Sequence, residues 1–208
     1  MTIICGVDEA GRGPVIGPLV IAGIALDDKY VDKLTALGVK DSKRHTPKKR
    51  EKLAEEIKKI AKYEIIIITA EELNIKMELA TLNEIETQVF VEIIKKLKPT
   101  IAYVDSVDVN EERFATQLLS KLDFKLEIIS KHRADELYPV VSAASVLAKV
   151  ARDNELRRIR QELREEIGSG YPSDRRTIEF IKRWVKEKGE PPPYVRKFWK
   201  TVKRLELK

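Results

Sequence analysis

A chain of 208 residues has the length for one substantial core, or for one domain with a small appendage, and its single cysteine excludes an internal disulfide scaffold. No apolar stretch approaches the ~20 residues needed to span a bilayer, and with a strand-like start no signal peptide is expected. Charged residues make up 36%, mostly Lys, Arg and Glu, a bias seen in proteins of hot environments; the net charge of +6 favours a polyanionic partner, although it is also compatible with simple solubility, and the lone Cys5 suits a reduced cytoplasmic compartment.

Apolar residues 3–7 and 19–26 predict two consecutive strands, separated by a Gly and Pro turn at residues 13–18. Directly after the first run stand Asp8 and Glu9, followed by Ala10-Gly11-Arg12-Gly13. Adjacent carboxylates repel each other where a strand meets a core, so the pair needs a compensating cation, and a divalent metal is the obvious candidate. Side chains alternate along a regular strand, so both acids reach one ion only if the chain bends at Glu9, a freedom the two glycines beyond supply. The plainer alternative is a strand running into a polar turn.

Beyond the basic run Lys40-Asp41-Ser42-Lys43-Arg44-His45, Thr46 is an N-cap with Pro47 at the first helical position, and Leu53, Ile57 and Ile60 follow at helical spacing. Residues 63–68 predict a strand and residues 82–97 an amphipathic helix stopped by Pro99. Residues 99–106 predict a further strand with Asp105 at its carboxyl end; Asn110 caps a helix to about Leu122; residues 124–130 predict another strand, with Asp135 beyond it. Acids at the carboxyl ends of several strands can converge on one sheet edge, where α/β folds usually place their sites.

After Asp135 the pattern is helical. Residues 140–163 predict one long helix whose first half, small and apolar, suits burial against a sheet. A loop at residues 168–174, a helix at 176–188, the break at Pro191-Pro192-Pro193 and a short basic helix containing Phe198 and Trp199 complete the chain. Trp184, Phe198 and Trp199 recur with apolar neighbours and suit packing better than base stacking. An α/β sheet domain over residues 1–150 and a helical extension over 151–208, packed on it, are expected.

Six segments in this order, Asp8-Glu9-Ala10-Gly11-Arg12-Gly13, Lys40-Asp41-Ser42-Lys43, Tyr103-Val104-Asp105-Ser106, Ala134-Asp135, Ala143-Ala144-Ser145-Val146-Leu147-Ala148-Lys149 and Ser169-Gly170-Tyr171-Pro172-Ser173-Asp174, closely resemble type 2 ribonuclease H (ribonuclease HII) in an archaeal-like single-chain form. The resemblance implies a ribonuclease H-like α/β fold, a five-stranded mixed sheet flanked by helices with a helical C-terminal extension. It also implies a metal-dependent endonuclease that hydrolyses the RNA strand of RNA/DNA hybrids. Such an enzyme cuts 5′ of ribonucleotides at RNA-DNA junctions in duplex DNA and leaves 3′-OH and 5′-phosphate ends.

Carried over from the family, the catalytic and metal-binding acids fall on Asp8, Glu9, Asp105 and Asp135. Two Mg2+ or Mn2+ ions held by carboxylates can stabilise both the attacking water and the leaving oxygen. Zinc is disfavoured, because one cysteine and two histidines offer no clustered nitrogen and sulfur ligands. Gly11, Arg12 and Gly13 match the loop whose backbone senses the ribose 2′-hydroxyl. Tyr171 matches the tyrosine that packs on the deoxyribose after the ribonucleotide, though a tyrosine in a Gly-rich loop could equally anchor that loop. Lys43 and Lys149 match basic positions near the phosphates, where contacts mainly position the substrate.

His45 and His132 open a metal-free alternative, in which two imidazoles serve as acid and base and a cyclic phosphate results. A structure-selective DNA nuclease and a non-catalytic nucleic-acid-binding module are the other competitors. The seven residues before Asp8 disfavour the sibling ribonuclease HIII with its N-terminal binding domain. A monomer without a membrane partner is expected, and residues 202–208 lack the glutamine and paired aromatics of a clamp-binding peptide, which leaves a sliding-clamp partner unsupported.

Overall fold

The computed structural model describes residues 2–40 and 45–206. Its elements in chain order are β1 (Ile3–Ala10), β2 (Leu19–Asp27), a 3-10 turn (Asp28–Tyr30), α1 (Val31–Ala36), α2 (Pro47–Ile60), β3 (Lys62–Ile68), α3 (Ala70–Lys76), α4 (Leu82–Leu97), β4 (Ile101–Asp105), α5 (Glu111–Leu119), β5 (Glu127–Lys131), α6 (Ala134–Leu137), α7 (Pro139–Leu163), α8 (Arg175–Lys188) and α9 (Lys200–Glu206). The strands form one five-stranded sheet in the order β3-β2-β1-β4-β5. β1 is antiparallel to β2 and parallel to β4, and β4 is parallel to β5, so the sheet is mixed, as the family resemblance implies.

The fold packs as two compact units, one of Met1–Ala10, Val20–Ile66 and Leu82–Val150, the other of Gly11–Leu19, Ile67–Thr81 and Ala151–Lys208. In the first, β1 is the middle strand and its residues from Ile4 to Asp8 are buried, Cys5 completely. Gly6 is needed there for a close approach: a β-carbon on it would fall 2.2 Å from the Val140 carbonyl carbon, at the start of α7. The helix α4 lays Ile85, Phe90, Ile93 and Ile94 into this core, and Phe90 meets Phe114 of α5 edge to face at 5.4 Å between ring centroids. Each such side chain contributes about 1.5–3 kcal/mol by leaving water.

The second unit has its own core, built from Val15, Ile16, Leu156, Ile159, Ile167, Phe180, Ile181, Val195 and Val202. Trp184 and Trp199 pack against it, in keeping with a packing role for those aromatics.

Several boundaries move for identifiable reasons. The helix after Asn110 ends at Leu119, not near Leu122. There the Ser120 hydroxyl donates to the Gln117 carbonyl, and the next two amides take partners three residues back, closing the helix with a tight turn. β5 starts at Glu127, three residues late, because its partner β4 begins at Ile101 and the register sets Ile101 opposite Glu127. Phe198 and Trp199 precede the last helix and lie outside it, since Trp199 N–H closes a turn onto the Arg196 carbonyl before α9 begins at Lys200. The short helices α1, α3 and α6 have no counterpart in the sequence reading.

Candidate active site

β1 and β4 run parallel with Val7 opposite Val104, so the next residues, Asp8 and Asp105, emerge on adjacent strands at the same level. One carboxylate oxygen each of Asp8, Glu9 and Asp105 can be chosen so that all lie within 4.8 Å of one another. No break in the strand is required for this, because β1 stays paired with β2 through Ala10 opposite Val20. Whatever bend Glu9 takes, the acids meet with the pairing of β1 to β2 unbroken.

Asp8 is buried, and desolvation first, then the charges of Glu9 and Asp105, push its carboxyl well above the usual carboxylate range. Two groups act the other way. The Ser145 hydroxyl favours the ionised form of Asp8, and Lys149 adds a favourable charge. Both stand on α7 one helical turn apart, and Lys149 Nζ donates to Ser145 Oγ at 2.6 Å, so the lysine's position is set through the serine. The Glu9 amide also donates to Asp8 Oδ1 at 2.8 Å.

Asp105 closes β4 and its Oδ1 accepts the Ala134 amide at 2.7 Å. That contact places Asp135 one residue further on, in the first turn of α6, where its carbonyl accepts the Ser142 hydroxyl. Asp135 is outside the three-carboxylate group. Ser145 was absent from the expected site residues, although it sits inside the quoted 143–149 segment; its spacing of four from Lys149 is the signal that could have found it.

His132 is exposed; its ring Nε2 lies 3.2 Å from the Val109 carbonyl and its amide donates to Glu111. The His45 carbonyl accepts Arg50 Nη1. Lys43 lies outside the described residues.

Within the second unit the glycine loop and Tyr171 are brought together. The amides of Val15 and Ile16 donate to the Gly170 carbonyl at 2.7 and 3.2 Å, tying the segment after Gly13 to the loop that carries Tyr171. A β-carbon on Gly13 would sit 3.6 Å from the Tyr171 ring. Gly11 has φ +93°, and a β-carbon there would fall 2.7 Å from the Pro18 carbonyl oxygen, so only glycine fits. The fully buried Arg196 supports this loop from within, donating to the carbonyls of Gly17 at 2.8 Å and Arg12 at 3.4 Å. Arg12 itself is half-buried, and Tyr171 is 40% exposed.

The donor set of the acid group fits a divalent metal: three carboxylates offer hard oxygen ligands, and a cation among them would relieve the repulsion that raises Asp8. Among the described residues no histidine or cysteine joins that group, which sets it apart from a zinc site.

Comparison with known proteins agrees with this chemistry. The family model described as Ribonuclease HII matches residues 5–202. A ribonuclease HII of Thermococcus kodakarensis is 48% identical over 207 residues, which cover 99% of this chain and 90% of the relative. Among solved structures, ribonuclease H2 from Pyrococcus horikoshii superposes with a TM-score of 0.93 at 43% identity, covering 99% of this chain and 97% of that one. An Archaeoglobus fulgidus ribonuclease HII, solved in complex with PCNA, gives 0.91 at 47% identity, with the same coverage. With a relative this similar along almost its entire length, the chain belongs to the ribonuclease HII family and is an endoribonuclease, a hydrolase acting on the RNA of RNA/DNA hybrids with divalent metal.

Proposed function

We propose that the chain cuts on the 5′ side of ribonucleotides at RNA-DNA junctions in duplex DNA, as well as within RNA/DNA hybrids, and leaves 3′-hydroxyl and 5′-phosphate ends. The observation that carries the cleavage chemistry is the meeting of Asp8, Glu9 and Asp105 within 4.8 Å. With Asp135, these acids would hold Mg2+ or Mn2+, two ions being expected for such a site. When bound, such ions supply Lewis-acid charge to the phosphate and acidify the attacking water. Lys149, steadied by Ser145, offsets the acid charge and contacts a phosphate, as does Lys43.

Substrate choice falls to other residues. Gly11, Arg12 and Gly13 present backbone to the ribose 2′-OH, and the Tyr171 ring packs on the next deoxyribose. Both demands are met together only where RNA gives way to DNA. The 1–150 part serves as the catalytic domain and 151–208 as its helical extension. The protein works in a reducing cytoplasm as a monomer, and PCNA binding, seen for the Archaeoglobus fulgidus neighbour, is not assigned to this chain.

The test is a product map on a duplex with one embedded ribonucleotide, beside a uniform hybrid, with and without chelator. Cuts 5′ of the ribonucleotide that vanish with chelator are expected; a cyclic phosphate product would overturn the metal-and-water route. Replacing Tyr171 by Ala removes an aromatic contact worth about 1 kcal/mol and slows junction cleavage about fivefold more than hybrid cleavage. Equal slowing of both substrates would make the tyrosine a loop anchor.

A further inference from the structure

Arg152 has no place in the motifs that mark the acids or the glycine loop, yet it is among the most buried charged side chains of the chain, at 7% exposure. Its surroundings within the second unit are unusual for a cation. Nη2 donates to the Ser169 carbonyl at 3.2 Å, and the guanidinium carbon lies 5.1 Å from the centre of the Tyr171 ring. Nε is buried with no hydrogen-bond partner, and the favourable charge of the neighbouring Asp153 is outweighed by burial. The side chain also lies directly beneath the glycine loop: a β-carbon on Gly11 would be 2.8 Å from its Cδ and Nε, and one on Gly170 would be 3.5 Å from Nη2. Burial pushes the guanidinium below its ordinary range.

A buried cation whose neighbouring charge does not offset its burial is costly, and a purely structural position would be filled at lower cost by an apolar side chain. What arginine adds is a planar fork that can donate along its edge and stack on an aromatic face at once, which the point charge of lysine cannot do. Here the edge reaches Ser169, two residues before Tyr171, and the face meets the Tyr171 ring, while the stem touches Gly11. One side chain therefore contacts both parts of the proposed substrate reader.

We propose that Arg152 is a positioning residue for junction reading: it fixes the Tyr171 ring relative to the Gly11 loop, so that the ribose 2′-OH and the following deoxyribose are recognised at a set separation. This rests on the reading of Tyr171 and Gly11 as the substrate-contacting groups.

The experiment measures kcat/KM on the single-ribonucleotide duplex and on uniform hybrid for wild type, Arg152→Met, Arg152→Lys, Tyr171→Ala and the Arg152→Met/Tyr171→Ala double variant, each over a range of salt. Arg152→Met lowers the junction-to-hybrid ratio about fivefold, as expected for loss of a desolvated cation–π contact, and Arg152→Lys recovers part of it. In the Tyr171→Ala background Arg152→Met changes the ratio no further, because the two act as one unit. The salt dependence of both substrates stays as in wild type. Equal slowing of both substrates by Arg152→Met overturns the proposal in favour of fold support alone. Additive losses in the double variant overturn it too, as does a salt slope lowered by about one, the mark of a direct phosphate contact. Should Arg152→Met fail to fold, Arg152→Lys decides: a reduced ratio in wild type but not in Tyr171→Ala supports the proposal, and an unchanged ratio overturns it. If Tyr171→Ala leaves the ratio at the wild-type value, the junction reading falls and takes this inference with it; if Tyr171→Ala lowers the ratio and the Arg152 variants do not, only the inference falls.

Discussion

Where the first unit turns three carboxylates toward one another and pushes Asp8 up, the second holds its carboxylate Asp174 well below the ordinary range and buries a guanidinium instead. Asp174 caps α8 and is held by Arg176 and by the Ser169 amide, at 2.8 Å for the latter. Its charge is satisfied by the protein itself. The repulsion and burial acting on Asp8 are only partly offset by Ser145 and Lys149, a balance that suits a bound cation. The lesson is that unresolved repulsion marks where chemistry is done, and satisfied charge marks where a loop is held in shape.

The sharpest way to break this contrast is Asp8→Asn. It should lower the cleavage rate on the order of a thousandfold, as for loss of a group that stabilises transition-state charge, and yet raise the melting temperature of the chelated protein, because repulsion falls. A chelated variant that melts lower than wild type would show Asp8 to be structural. The mirror experiment in the second unit is Gly11→Ala. Strain at positive φ and collision with the Pro18 carbonyl should cost about 2 kcal/mol in denaturant unfolding and slow junction and hybrid cleavage alike. Unaltered stability would mean that the loop yields more readily than its geometry implies.

A milder probe is Ser145→Ala, which removes the hydroxyl that holds Lys149 Nζ and favours the ionised Asp8. A loss of about tenfold in rate, or in metal affinity by titration calorimetry, is expected for a partner that orients a ligand; wild-type metal affinity would detach the serine from the site.

The smallest effects concern pH, and there the two units differ in sign. In metal-free protein Asp8 has a raised folded-state pKa, so its contribution to stability is present while the group is protonated and is lost as pH rises through that value. Asp174 has a depressed pKa, so its contribution is present above the ordinary carboxylate pKa and is lost as pH falls through the folded value. Melting curves of Asp8→Asn and Asp174→Asn under chelation should therefore each flatten a different limb of the stability profile.

Strand ends were the most legible part of the sequence. The runs before Asp8 and Asp105 are apolar and rich in β-branched residues, so period and composition both place the acids near the carboxyl edge. The meeting of Asp8, Glu9 and Asp105 needs the parallel register of β1 and β4, which no local pattern encodes. Arg152 stayed out of view for a related reason: it is one polar residue in a long helix, and its meaning lies in Ser169 and Tyr171, far along the chain. The capping box of α3 is different. Thr69 and Glu72 bond reciprocally to each other's amides, and the three-residue spacing could have been read directly.

Cys5 is the chain's one thiol, fully buried in β1 between partners on both sides, and burial alone pushes its thiol up. Thiolate, the reactive form, is therefore scarce in the native state, and a modifying reagent can reach the sulfur only when the middle of the sheet parts. Labelling kinetics at this position would thus act as a built-in clock for opening of the strand that carries Asp8 and Glu9. Slower labelling on adding divalent metal would measure, without any nucleic acid present, how firmly the ion holds that strand closed.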